Sequence, residues 1–282
     1  PMSELGLSQE TIDTAGTTLG VSGANEAKRV QKEYMQNHRL NIPTLLMADI
    51  IHGFRTIFPI PLALGSTWDE AAVEKMAEIS AKEAAVSGLH VTFSPMVDLV
   101  RDPRWGRVME STGEDPLLNS RLAAAMVRGY QGENLKEDNW RVAACVKHFA
   151  AYGGALAGRD YNTVDMSERQ LREMYLPGYK AGLDAGAKLI MTSFNTVDGI
   201  PATGNQWLFR DVLRNEFGFE GVVISDWGAI KELIPHGVAK DEKQAAELAI
   251  KAGVDIEMMT TCYPDYLKEL LEEGRIAETL ID

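Results

Sequence analysis

The sequence predicts an α/β protein, and within that class a (β/α)8 TIM-like barrel occupying residues 1–282 as one domain. Three observations predict it. Short apolar runs alternate with long amphipathic ones, the rhythm of a mainly parallel sheet. The length of 282 residues suits one barrel. Ionisable residues recur directly after the apolar runs, where the C-terminal strand ends of such a barrel would gather them. An open doubly wound sheet is the alternative. Against it, no Gly-x-Gly-x-x-Gly follows the first apolar run.

The expected strands, in order, are Thr17–Leu19, Leu45–Asp49, Val91–Ser94, Ala144–Lys147, Leu189–Phe194, Val222–Asp226 and Val254–Met258. Asn162–Val164 reads as either an eighth strand or a loop. Any irregularity is expected at the first strand and helix. Between the strands, Thr67-Trp68-Asp69-Glu70 reads as a capping box, with Thr67 opening a helix that Gly88 closes. Ser167-Glu168-Arg169-Gln170 is a second box. Its helix runs to Gly186 and should kink or split at Pro177. Gln206–Phe217 and Asp241–Ala252 are further helices. Pro264 opens another, with Leu267, Leu270 and Leu271 on one face and Gly274 at its end.

Composition narrows the function. With 45% hydrophobic and 24% charged residues the chain is ordinary globular material. Its net charge of -13 argues against nucleic acid and anionic membranes as partners. No apolar run reaches the roughly 20 residues that span a bilayer. Pro1 to Leu7 do not form a signal peptide, which leaves the compartment open. Cys145 and Cys262 read as two buried thiols rather than a disulfide scaffold. There is no His-x-x-x-His, Cys-x-x-Cys, P-loop or Gly-x-Ser-x-Gly, so no metal or cofactor is expected.

The strand ends carry the chemistry. Asp49 ends the second strand. The third feeds a charged loop with Asp98, Arg101, Asp102, Arg104, Arg107, Glu110, Glu114 and Asp115, mostly read as ion pairs that hold the loop in shape. Lys147 and His148 end the fourth. Met191 and Phe194 lie near the next strand end, where ordinary core packing is the simpler role. Asp226 follows the buried run Val222–Ser225, with Trp227 beside it. A carboxylate at the mouth of an apolar strand is costly unless something pairs with it or uses it. His52, His90 and His236 read as structural. The set fits a neutral polyol. Asp49 can accept from two adjacent hydroxyls, while Arg107, Lys147 and His148 can donate to others, each charged hydrogen bond contributing roughly 1.5–3 kcal/mol. Trp227 offers a stacking face. Lys147 could instead be a Schiff-base lysine. Neighbours on a regular strand face opposite ways, so Lys147 and His148 can share a pocket only if the backbone there leaves strand geometry.

At these residues the chain resembles glycoside hydrolase family three, in particular its β-glucosidases of the bacterial periplasmic type. The stretches that carry the resemblance are IPTLLMADIIHGFRTIFP, FSPMVDLVRDPRWGRVMESTGEDP, VKHFAAYG, MTSFNTVDGIPATGN and GFEGVVISDWGAIKEL. They run in the family's order from about Ile42 to His236. The resemblance implies a retaining, exo-acting enzyme that removes terminal β-D-glucosyl residues from a β-glucoside or short β-linked oligosaccharide. It implies Asp226 as nucleophile, and Asp49, Arg107, Lys147 and His148 as binders of the terminal sugar. Arg159 is implied as a further site residue. Phe194 stands where several relatives carry a tyrosine. Phe149-Ala150-Ala151-Tyr152-Gly153 after Lys147-His148 disfavours the N-acetylglucosaminidase branch.

In two-domain members the general acid/base is a carboxylate on a following α/β sandwich domain, which these residues do not include. Retaining hydrolysis needs two carboxyl groups roughly 5–5.5 Å apart. Glu110 and Asp160 are the first alternatives within the barrel. A sugar-binding barrel with little or no turnover is the competing reading of this chain.

Overall fold

The computed structural model describes residues 8–161 and 163–281. A short helix, α1 (Gln9–Thr14), leads into β1 (Thr17–Leu19) and α2 (Ala24–Asn37). There follow β2 (Leu45–Ala48), α3 (Glu70–Val86), β3 (Val91–Thr92), α4 (Pro116–Gln131) and β4 (Ala143–Phe149). The chain continues through α5 (Leu176–Asp184), β5 (Leu189–Thr192), β6 (Val222–Ile224), α6 (Glu242–Ala252) and α7 (Cys262–Glu272).

The six strands pair in chain order, all parallel, as one curled sheet with the helices outside: an irregular TIM-like barrel. The expected strand Val254–Met258 is reduced to a single parallel bridge, Ile224 to Ile256. Ile256 N–H to Val223 O and Ser225 N–H to Ile256 O make that bridge. Beyond it Met258 N–H donates to Ser225 Oγ instead, and Gly228 N–H donates to Met258 O. Strand β5 stops at Thr192, short of Phe194, because the chain turns into the hairpin Thr196–Val197/Ile200–Pro201. Of the candidate strand Asn162–Val164, Asn162 lies outside the described residues. Val164 makes one parallel bridge to Val197.

Two apolar layers flank the sheet. The lumen is filled by Met47, Val91, Phe93, Cys145, Leu189, Met191, Ile224 and Met258. Outside, α3 and α4 press together and onto the sheet through Val73, Ala77, Ala81, Leu122, Met126 and Val127. A side chain at Gly129 on α4 would place its Cβ 2.3 Å from Glu74 O on α3, so glycine sets how closely these helices meet. Both cysteines are free and buried.

The helix starts correct one expectation. Asp69, not Thr67, caps α3, accepting from Ala72 N–H at 3.0 Å. Thr67 Oγ1 instead donates to Leu64 O and accepts from Asp69 N–H, closing the turn before the helix. Ser167 caps as expected, accepting from Gln170 N–H. Pro177 is absorbed by a widened π-helical turn, Leu171–Tyr175, just before α5, which removes the need for the amide that proline lacks.

Candidate active site

Every second residue of a strand faces the lumen; Asp49 and Asp226 continue that register past the ends of β2 and β6, and Lys147 continues it within β4. Asp49 follows Met47, Lys147 follows Cys145 and Asp226 follows Ile224, each two residues on. His148 belongs to the other face by parity. It reaches the same mouth because the ladder between β4 and β5 shifts register between Val146 and Phe149. The Lys147–His148 peptide is cis, as is Phe149–Ala150. The register shift is the expected departure from strand geometry.

Lys147 is almost wholly buried, and its Nζ donates to Asp49 Oδ1 at 2.7 Å. Asp49 itself is 60% exposed, so the pair joins a buried cation to an anion at the opening. His148 is fully buried between two carboxylates. Its Nδ1 lies 2.7 Å from Asp98 Oδ2, and its Nε2 lies 3.4 Å from Asp226 Oδ2. Burial pushes the Asp98 carboxyl up and the His148 imidazole down.

Asp226 is held from one side only. Trp227 N–H donates to its Oδ1 at 2.6 Å, and its own amide donates to Thr192 Oγ1 at 3.3 Å. Ser225 Oγ donates to the Asp226 carbonyl at 3.0 Å. Asp226 Oδ2 is buried and has no hydrogen-bond partner. One carboxylate oxygen is fixed; the other, buried beside His148, is available to accept a hydrogen bond or to act as a nucleophile.

Arg107 uses Nε and Nη2 on Glu110, at 2.7 and 2.8 Å, and lies over the Tyr152 ring at 5.5 Å. Tyr152 in turn meets His148 edge to face at 5.3 Å. Asp160 Oδ1 accepts from Trp105 Nε1 at 2.9 Å. Both carboxylates named as alternative acids are thus already engaged. Phe194 is buried and stacks on half-exposed Tyr161 at 4.1 Å, forming an aromatic wall. Trp227 is 59% exposed beside Asp226. Met191 belongs to the lumen layer beneath the site. Arg159 is exposed on the loop after β4 and takes no part in the contacts above. His52, His90 and His236 meet Phe58 O, Leu46 N–H and Phe194 O respectively, as structural histidines would.

Sequence reasoning missed three participants. Asp98 reads as a loop ion pair, yet its hydrogen bonds go to His148 and Tyr179 and none goes to an arginine. Tyr179 on α5 reaches Asp98 Oδ1 at 2.7 Å across 81 residues, which no local pattern signals. Glu232 lies half-buried on the turn after Trp227. Burial first, and Asp226 second, raise it to about 7. Its only sequence signal was its place in the GAIKEL run.

The model of the Glycosyl hydrolase family 3 N terminal domain matches residues 13–282. The chain belongs to glycosyl hydrolase family 3. Among family 3 relatives, it is 47% identical to the periplasmic beta-glucosidase of Salmonella typhimurium over 95% of this chain and 35% of that protein. It is 36% identical to a beta-xylosidase of Formosa agariphila, over 89% of this chain and 37% of that one. The crystal structure of beta-glucosidase from Listeria innocua in complex with isofagomine superposes with a TM-score of 0.97 at 59% identity. That match covers 99% of this chain and 39% of the other. The same Listeria innocua enzyme has been solved in complex with glucose. The chain thus spans well under half the length of these family 3 relatives.

Proposed function

We propose that this family 3 barrel supplies the nucleophile and the sugar pocket of a retaining β-glucosidase. Residues 1–282 form its single barrel domain, and the general acid/base comes from a following domain. The observation that carries the reading is Asp226: one oxygen pinned by Trp227 N–H, the other buried and unpartnered beside His148. In the first step Asp226 Oδ2 bonds to the anomeric carbon as the bond to the leaving oxygen breaks. An acid outside this chain protonates that oxygen. In the second step water attacks the same carbon, gives its proton to that group and releases Asp226.

Asp49, Arg107, Lys147 and His148 hold the terminal sugar, over a floor that includes Met191, and Trp227 and Arg159 meet the substrate further out. A glucosyl substrate is supported by the identity to the Salmonella and Listeria beta-glucosidases, which exceeds that to the Formosa beta-xylosidase. Engagement of Glu110 by Arg107 and of Asp160 by Trp105 favours the second reading for the barrel alone, sugar binding with little turnover.

The test is trapping. Full-length enzyme treated with an activated 2-deoxy-2-fluoro-β-glucoside should carry one fluoroglucosyl group on the peptide that holds Asp226. Label on any other carboxylate, or inactivation without label, would overturn the assignment.

A further inference from the structure

We infer that Asp98 is a neutral carboxylic acid that positions His148 with its proton on Nδ1, leaving Nε2 as a hydrogen-bond acceptor beside Asp226. The argument is an accounting of protons. The Tyr179 hydroxyl oxygen has three polar neighbours: Ala151 N–H at 3.1 Å, His148 O at 2.6 Å and Asp98 Oδ1 at 2.7 Å. The amide donates to it. The phenol has one proton, and the His148 carbonyl can only accept it. The remaining 2.7 Å contact then needs a proton from Asp98. Oδ2 becomes the carbonyl oxygen of the acid and accepts from His148 N–H at 3.0 Å and from Nδ1–H at 2.7 Å. Each proton is used once and each of these acceptors is met.

With Asp98 ionised, two acceptors would compete for the single Tyr179 proton. One oxygen–oxygen contact of 2.6 or 2.7 Å would then hold no proton, among groups that are all fully buried. Arg107 and Lys147 face Asp98 and favour its charge, while Tyr179 and the His148 amide are hydrogen-bonded to it. Asp226 and Glu110 face His148 and favour an imidazolium, while Arg107 and Lys147 oppose it. Burial opposes both charges and is the largest influence on each. The consequence lies at the mouth. Nε2 and the unpartnered Asp226 Oδ2 stand 3.4 Å apart as two acceptors, a notch shaped for hydroxyl donors.

Nitrogen NMR of the full-length protein labelled on histidine tests this directly. His148 should show a protonated Nδ1 and a bare Nε2, and in protein carrying carbon-13 aspartate the Asp98 carboxyl carbon should keep the shift of a protonated acid at about pH 5, above the ordinary aspartate range. An imidazolium, a proton on Nε2 alone, or an ionised Asp98 at that pH would each overturn the inference. Asp98→Asn presents an amide NH2 to Tyr179 and a carbonyl to His148, the same pattern of protons. It should keep the His148 spectrum and hydrolyse an aryl β-glucoside within about threefold of the parent. Asp98→Ala should lose the Nδ1 tautomer and much of kcat. Equal damage from Asn and Ala would show that the charge matters and would sink the idea. The activity arm rests on the β-glucosidase reading and the spectroscopic arm does not. An inactive parent with the expected spectrum would therefore count only against the former.

Discussion

The lumen of the barrel and its mouth are built from the same strands, two residues apart. Met47, Cys145 and Ile224 face inward and need only to be apolar and to fit. Asp49, Lys147 and Asp226 continue the same rows and cannot be buried on those terms. Each charge taken from water needs a partner. Lys147 has Asp49, and His148 has Asp98. Asp226 Oδ2 alone among these atoms has none. The lumen rows need no partners, whereas of the carboxylates Asp49, Asp98 and Asp226 only Asp226 has an oxygen that is buried and unmet. An unmet buried acceptor is destabilising, so it marks where the molecule is arranged for something other than its own stability.

Exchanging the two kinds of residue should separate the two kinds of loss. The largest effect is expected for Asp226→Asn in the full-length enzyme. Hydrolysis of an aryl β-glucoside should fall at least about a thousandfold, some 4 kcal/mol of transition-state stabilisation. Its thermal midpoint should hold or rise, because an unpartnered charge has been removed. A melt that fell in step with activity would erase the distinction between mouth and lumen. The second effect is the converse. Phe93→Ala empties part of the lumen and should cost about 3–5 kcal/mol in urea unfolding. Turnover per folded molecule should change far less. If Phe93→Ala instead left stability intact and abolished turnover, the lumen would be part of the site.

Much of this division was legible in the sequence, for a physical reason. Strand periodicity is local, so Met47-Ala48-Asp49 and Ile224-Ser225-Asp226 announce an apolar row ending in an acid. Whatever depends on contacts between distant segments was not legible. Asp98 sits in a loop rich in arginines, and nothing local says that its hydrogen bonds go to His148, 50 residues on. Tyr179 looks like any aromatic on an amphipathic helix. The register shift between Val146 and Phe149 leaves no mark in composition, although the need for some departure there followed from parity. The expected strand Val254–Met258 has the right residues but gives up most of its ladder to Ser225 and the turn after Asp226.

Glu232 gives the smallest effect and the finest test of the comparison, because it lies on the mouth side without a buried partner. Burial and the neighbouring Asp226 raise it from 4.5 to about 7. The folded chain therefore holds a proton that the unfolded chain has already released between those values. Stability should fall as pH rises through that window and level off above it. Glu232→Gln has no such proton. Its thermal midpoint should gain on the parent steadily from pH 4.5 to about 7, and the gap should stay constant beyond. The gain will be modest, since water screens a half-buried carboxyl. The same scan in an Asp226→Asn background sharpens the point. Without the Asp226 charge Glu232 should titrate lower and the window should narrow. A gap that does not vary with pH would mean that Glu232 feels neither its burial nor Asp226.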